Sequence, residues 1–132
     1  MALVVPDVGE AIALYYLTGK ASTENLIYKL YTNNITPAET DVAGTYTEAT
    51  GNGYSAKSLQ GSNWATQSTN PTEITHAEQT WTFTGSLGSV YGYYVVRSST
   101  ADLVLAERFS DGPYNIANNG DQIKITPKIT AT

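Results

Sequence analysis

The stretch Val90-Tyr91-Gly92-Tyr93-Tyr94-Val95-Val96-Arg97, then Ser98-Ser99-Thr100-Ala101-Asp102, then Leu103-Val104-Leu105-Ala106-Glu107-Arg108-Phe109, decides the class of fold. In its first run Tyr91, Tyr93 and Val95 alternate with Gly92, Tyr94 and Val96, the two-residue period of a strand whose faces meet different surroundings. The polar Ser98 to Asp102 segment reverses the chain, and the second apolar run returns antiparallel to the first as a hairpin. Alternation in the returning strand puts Glu107 on one face with Leu103, Leu105 and Phe109. A carboxylate on an apolar face needs a partner or a proton, so Arg97 and Glu107 are expected to form a structural ion pair at the rim.

Outward from this hairpin the same period recurs. Leu26-Ile27-Tyr28-Lys29-Leu30-Tyr31 reads as a strand with Leu26, Tyr28 and Leu30 on one face. Further strands are expected over residues 54–59, 73–76, 79–83, 90–97, 103–109 and 122–129, with a short one over 45–48. Turn-rich segments separate them, among them Gly51-Asn52-Gly53, Gly61-Ser62-Asn63, Asp111-Gly112-Pro113 and Asn118-Asn119-Gly120-Asp121. Only residues 7–19 break the pattern. Val8, Ile12, Tyr15 and Tyr16 form a helical stripe there, with Asp7 expected to cap the start, Glu10 at the capping-box position and Gly19 to stop it. Short punctuated strands without alternating helices predict a mainly β, antiparallel β-sandwich, jelly-roll-like, with one short N-terminal α-helix. At 132 residues the chain is the size of one domain over 1–132, with 1–6 as an extended N-terminal arm.

Composition limits the chemistry. The chain has no cysteine, one histidine (His76), 14% charged residues and ten tyrosines. Groups that titrate or attack near neutral pH are scarce, multi-His and thiolate metal sites are excluded, and no Gly-x-Ser-x-Gly elbow accompanies His76, whose expected place is a surface or sheet face. Gly51-Asn52-Gly53 opens a strand rather than a helix, so it does not make a phosphate loop. Asn118 to Asp121 lacks the acidic density of a calcium loop and reads as a tight hairpin turn. Neither a catalytic residue nor a cofactor is expected.

The seven Lys and Arg are dispersed and the net charge is −5, which argues against a nucleic-acid partner. No apolar run approaches the ~20 residues of a membrane span, and the opening lacks the basic region of a secretory signal, so no membrane partner is expected and the chain is expected to be made and kept in a cytoplasm.

The opening Met1-Ala2-Leu3-Val4-Val5-Pro6-Asp7-Val8-Gly9-Glu10, the strand Leu30-Tyr31-Thr32-Asn33-Asn34, the segment Val90 to Val95 and the run Ala106-Glu107-Arg108-Phe109-Ser110-Asp111-Gly112-Pro113-Tyr114 together resemble small virion structural proteins of tailed bacteriophages. Within that group the chain is most similar to capsid cement or decoration proteins. The resemblance implies a non-enzymatic virion component that binds the major capsid protein or another virion protein and stabilises the shell. A homo-oligomer, dimer or trimer, is the expected state on a repeating surface. A tail-associated or head–tail connector protein has the same profile. Contact is expected through the apolar arm, Leu3, Val4 and Val5, and through the tyrosines of the hairpin, Tyr91, Tyr93 and Tyr94.

Two other classes make distinct demands. A carbohydrate-binding module requires Trp64 and Trp81 exposed on one face as a stacking platform. A glycan-cleaving enzyme requires a second carboxylate across a cleft from Glu107 or Glu78.

Overall fold

A computed structural model describes residues 3–67 and 70–131. The chain is mainly β, its sheets are antiparallel, and α1 (Asp7–Thr18) is its one α-helix among the described residues. The principal sheet has the order β2-β1-β7-β8, from β1 (Leu26–Tyr31), β2 (Lys57–Leu59), β7 (Gly92–Arg97) and β8 (Leu103–Arg108). Three short ladders complete the strands: β10 (Gln122–Ile125) with β5 (Gln79–Thr82), β6 (Gly88–Val90) with β9 (Tyr114–Ile116), and β11 (Lys128–Ala131) with β4 (Thr72–His76) and β3 (Trp64–Gln67).

One face of the principal sheet, carrying Tyr28, Leu30, Tyr93, Val95 and Leu105, packs on Trp81, Phe83, Val90, Ile116 and Ile123 from the short ladders. This is the sandwich core, and removing these rings and branched chains from water drives its formation. The opposite face is covered as well. Tyr31, Tyr94, Val96, Leu103 and Ala106 lie under Tyr46 and Ile35 of the loop after β1, with Val8 of α1 beside them. Tyr46 stacks on Tyr94, ring centroids 4.9 Å apart. A sheet apolar on both faces must be covered on both.

Glycine sets the approach of α1 to this sheet. A Cβ at Gly9 would stand 2.0 Å from the Val104 carbonyl oxygen, so the helix touches the β8 backbone there. The helix starts differently from expectation: Pro6 is the N-cap, without a side-chain cap, and Asp7 is already helical. Asp7 donates its amide to Glu39 O at 2.9 Å, while the Glu10 amide reaches back to Pro6 O. Gly19 ends the helix in the left-handed conformation, φ 73°, as its residue type requires.

Two expected strands divide. Residues 90–97 split at Tyr91 because β6 and β7 belong to different ladders, and 122–129 split before Pro127, which lacks an amide for the ladder. Residues 54–59 shorten to β2, and 45–48 reduce to a 3-10 turn over Ala43–Thr45 and one bridge from Glu48 to Tyr31. The β3 and β9 strands have no expected counterpart. The turn at Asn118 to Asp121 is tight but joins two ladders rather than one hairpin, and Asp121 Oδ2 accepts the amides of Ala117 and Asn118 at 2.9 Å each.

Candidate functional site

The β7–β8 hairpin forms with its turn at the expected place, but its register places side chains in ways alternation does not foresee. Tyr93 pairs with Glu107 and Val95 with Leu105, while Val96 pairs with Leu103, leaving Val104 as an extra residue at a β-bulge. The bulge reverses the facing of everything before it. Leu103 therefore lies in the cluster with Tyr94 and Val96, whereas Leu105 and Phe109 pack in the other core. Glu107 shares its face with Leu105, Phe109 and Tyr93, and not with Leu103.

The expected Arg97–Glu107 pair does not form. Arg97 stands at the turn end of the hairpin and pairs with Glu24 at 3.1 Å, while Glu107 lies towards the open end opposite Tyr93. Strand register separates the two along the ladder, a distance their side chains have no reason to span when Glu24 is at hand.

Of the six expected contact residues, Tyr93 and Tyr94 are interior and Leu3, Val4, Val5 and Tyr91 are partly buried. Tyr93 and Tyr94 are 5% and 4% exposed and belong to opposite cores. Tyr91 is half-buried with the Tyr94 cluster, beneath the Arg108 guanidinium at 5.1 Å. Rings of this size contribute most by leaving water, and a strand covered on both faces takes them all. In the arm, Val4 exchanges two backbone hydrogen bonds with Ala106 at 2.8 and 2.9 Å, and Leu3 and Val5 pack partly buried against the core. Residues 3–5 thus close the outer edge of β8 instead of standing free, which satisfies amides that an open edge would expose. Met1 and Ala2 of the expected arm lie outside the described residues.

His76 stands on a strand, as the last residue of β4, but is buried rather than at the surface. Its Nδ1 lies 2.9 Å from Ala77 O, its Nε2 3.2 Å from Gln60 O, and its ring meets Trp64 edge-on at 5.0 Å. Trp81 is fully enclosed and donates Nε1–H to Ser55 O at 2.9 Å. The two-tryptophan platform is therefore absent.

Two concavities stand out among the described residues. A groove of about 420 Å³ runs between the start of β1 and the β11-β4-β3 ladder, its walls mostly apolar: Leu26, Leu59, Trp64, Ile74 and Ile129. Its one carboxylate, Glu24, is consumed by Arg97, Ser98 and Ser99. The second cavity, about 280 Å³, has a mixed lining that includes Glu107, Asp111, Lys124, Tyr93, Phe109 and Tyr114. Burial pushes the Glu107 carboxyl up from its ordinary value of 4.5, and the facing Tyr93 hydroxyl offsets part of that rise. The Tyr114 hydroxyl donates to Asp111 Oδ1 at 2.5 Å. That bond, with burial second, pushes the Tyr114 phenol up to about 12.

Sequence reading singles out Glu107 but not Asp111, Tyr114 or Lys124. The available signal was Glu107 and Phe109 on one face with Asp111 in the turn that follows; Lys124 arrives from a distant strand. Among the described residues no group of three His, Asp or Glu side chains is placed to hold a metal ion, and no helix is long and apolar enough to cross a membrane. No family model matches the chain, and neither a curated protein nor a solved structure shows significant similarity to it.

Proposed function

We propose that this chain is a non-enzymatic structural protein of a tailed-bacteriophage virion, most specifically a cement or decoration protein that binds the major capsid protein and stabilises the shell. The strings that resemble such proteins motivate the assignment, and the outer face of α1 supports it physically. From Ala11 to Thr18 the helix carries no charged residue. Leu14 and Leu17, one turn apart, are 58% and 82% exposed, with Tyr15 beside them. Neighbouring large apolar side chains left in water mark a contact surface more often than an accident of folding. This helix face, rather than the arm or the hairpin tyrosines, is the docking surface of the proposal.

The test is cryo-electron microscopy of particles assembled with the wild-type chain, with Leu14→Glu/Leu17→Glu and without the chain. Density on the capsid exterior that vanishes in the double variant is the expected result. Density confined to the tail or the neck moves the protein to a tail-associated or head–tail connector role, and absence from particles removes the virion assignment. Both leucines are exposed, so the variant retains the fold, which circular dichroism checks.

A further inference from the structure

The cavity between the β8 end and β10 has the composition of a ligand site, and its lining narrows the ligand class. Phe109 and Tyr114 pack ring against ring, centroids 4.7 Å apart and planes 34° apart, and Tyr93 continues the aromatic wall at 6.3 Å from Phe109. Around this wall stand acceptors, the carboxylates of Glu107 and Asp111, and donors, Lys124 with the hydroxyls of Ser110 and Thr126. Asp111 uses Oδ1 for Tyr114, and no described residue bonds Oδ2. Lys124 is exposed and forms no ion pair with any described residue. Asp111 Oδ2 and the Lys124 ammonium are thus left open by the described residues.

Behind the wall, the Tyr28 hydroxyl is fully buried and makes no well-formed hydrogen bond, although Tyr93 and Glu107 act on it strongly enough to raise its pKa further after burial. The Tyr28 and Tyr93 rings are 4.6 Å apart.

An anion is disfavoured by the carboxylates of Glu107 and Asp111, and a cation by the Lys124 ammonium that stands with them. A neutral ligand whose groups both donate and accept, and which has a flat C–H face for the rings, meets every wall. We propose that this cavity binds one neutral pyranose unit, set against the Phe109–Tyr114 ring pair with vicinal hydroxyls shared between Glu107, Asp111 and Lys124. At about 280 Å³ the space lies near the lower end of small-molecule clefts and suits one ring rather than a long chain. The site needs neither tryptophan and is separate from the α1 surface proposed for docking.

The test is an amide chemical-shift titration of the full ¹⁵N-labelled chain with glucose, galactose, mannose and N-acetylglucosamine. Tetramethylammonium and inorganic phosphate serve as charged comparators. At least one sugar is expected to saturate shifts at Phe109, Ser110, Asp111, Tyr114, Lys124 and Ile125 with a dissociation constant in the millimolar range, about −4 kcal/mol. Asp111→Asn, at an exposed position, and Tyr114→Ala, at a half-buried one, are each expected to weaken it about tenfold, or about 1.4 kcal/mol, while Trp64→Phe leaves it unchanged. The proposal is overturned if no sugar gives saturable shifts at these residues, if Asp111→Asn binds as wild type, or if only tetramethylammonium or phosphate saturates them.

Discussion

Arg97 Nη2 and Glu24 Oε2 meet at 3.1 Å across 73 residues of chain, joining the tip of the β7–β8 hairpin to the segment between α1 and β1. Glu24 also accepts the Ser99 amide at 2.7 Å and the hydroxyls of Ser98 and Ser99 at 3.0 Å each. The Ser99 amide, ahead of the side-chain donors, holds its carboxyl down to about 2 against burial, which works the other way. A carboxylate depressed by folding contributes stability that is present above its ordinary value of 4.5 and lost as pH falls towards 2. Urea denaturation across this acid window is expected to show stability falling in the wild type. Glu24→Gln should be less stable at neutral pH and flatter over the same window.

Glu107 carries the opposite sign. Its folded pKa lies above the ordinary 4.5, so its contribution is present below that value and is lost as pH rises through the folded one. Glu107→Gln is therefore expected to be at least as stable as wild type at neutral pH, with any advantage disappearing on acidification. A loss of stability at neutral pH would show that the Tyr93 hydroxyl outweighs desolvation there.

Gly9→Ala tests the seating of α1. In an unhindered helix the change gains about 1 kcal/mol of propensity. Here the new methyl group would meet the Val104 carbonyl oxygen and carbon at 2.0 and 2.8 Å, backbone atoms that cannot swing aside. Overpacking of this kind costs roughly 1–3 kcal/mol, so the net effect is destabilising and is read as a lowered thermal midpoint. Gly44→Ala, where nothing lies within 4 Å, is the control and should stay within about 0.5 kcal/mol.

The interior tyrosines predict cooperative alkaline unfolding. Burial first of all pushes Tyr31 and Tyr94 up to about 12, and Tyr28, Tyr46, Tyr54 and Tyr93 further still. Phenols raised by folding contribute stability that is present below 10 and lost as pH climbs past it. Ultraviolet difference absorbance should therefore report their ionisation together with loss of the far-ultraviolet signal of the sheet, in one transition. Ionisation of these rings with the sheet intact would contradict their placement.

Local order was legible in the chain itself. The alternation of Leu26 to Tyr31 appears as β1 with Leu26, Tyr28 and Leu30 facing one core and Ile27 and Tyr31 the other, because side-chain direction in a strand depends only on residue parity. Gly19 ended the helix and Ser98 to Asp102 turned the hairpin for equally local reasons. From the site, Glu107 was recognisable as a carboxylate among apolar neighbours.

What the sequence determined by itself is therefore a mainly β, antiparallel chain with one short helix and little reactive chemistry, since periodicity, turn residues and composition all act over a few residues. Tertiary structure decided the rest. Whether Tyr93 and Tyr94 face water or core depends on which loops cover the sheet, and the fate of the arm depends on the free edge of β8. The bulge at Val104 reversed the facing of Leu103, and the nearness of Glu24 redirected Arg97. The cavity of Glu107, Asp111, Tyr114 and Lys124 exists only because separate segments converge there, and no local pattern encodes a contact between residues that only folding brings together.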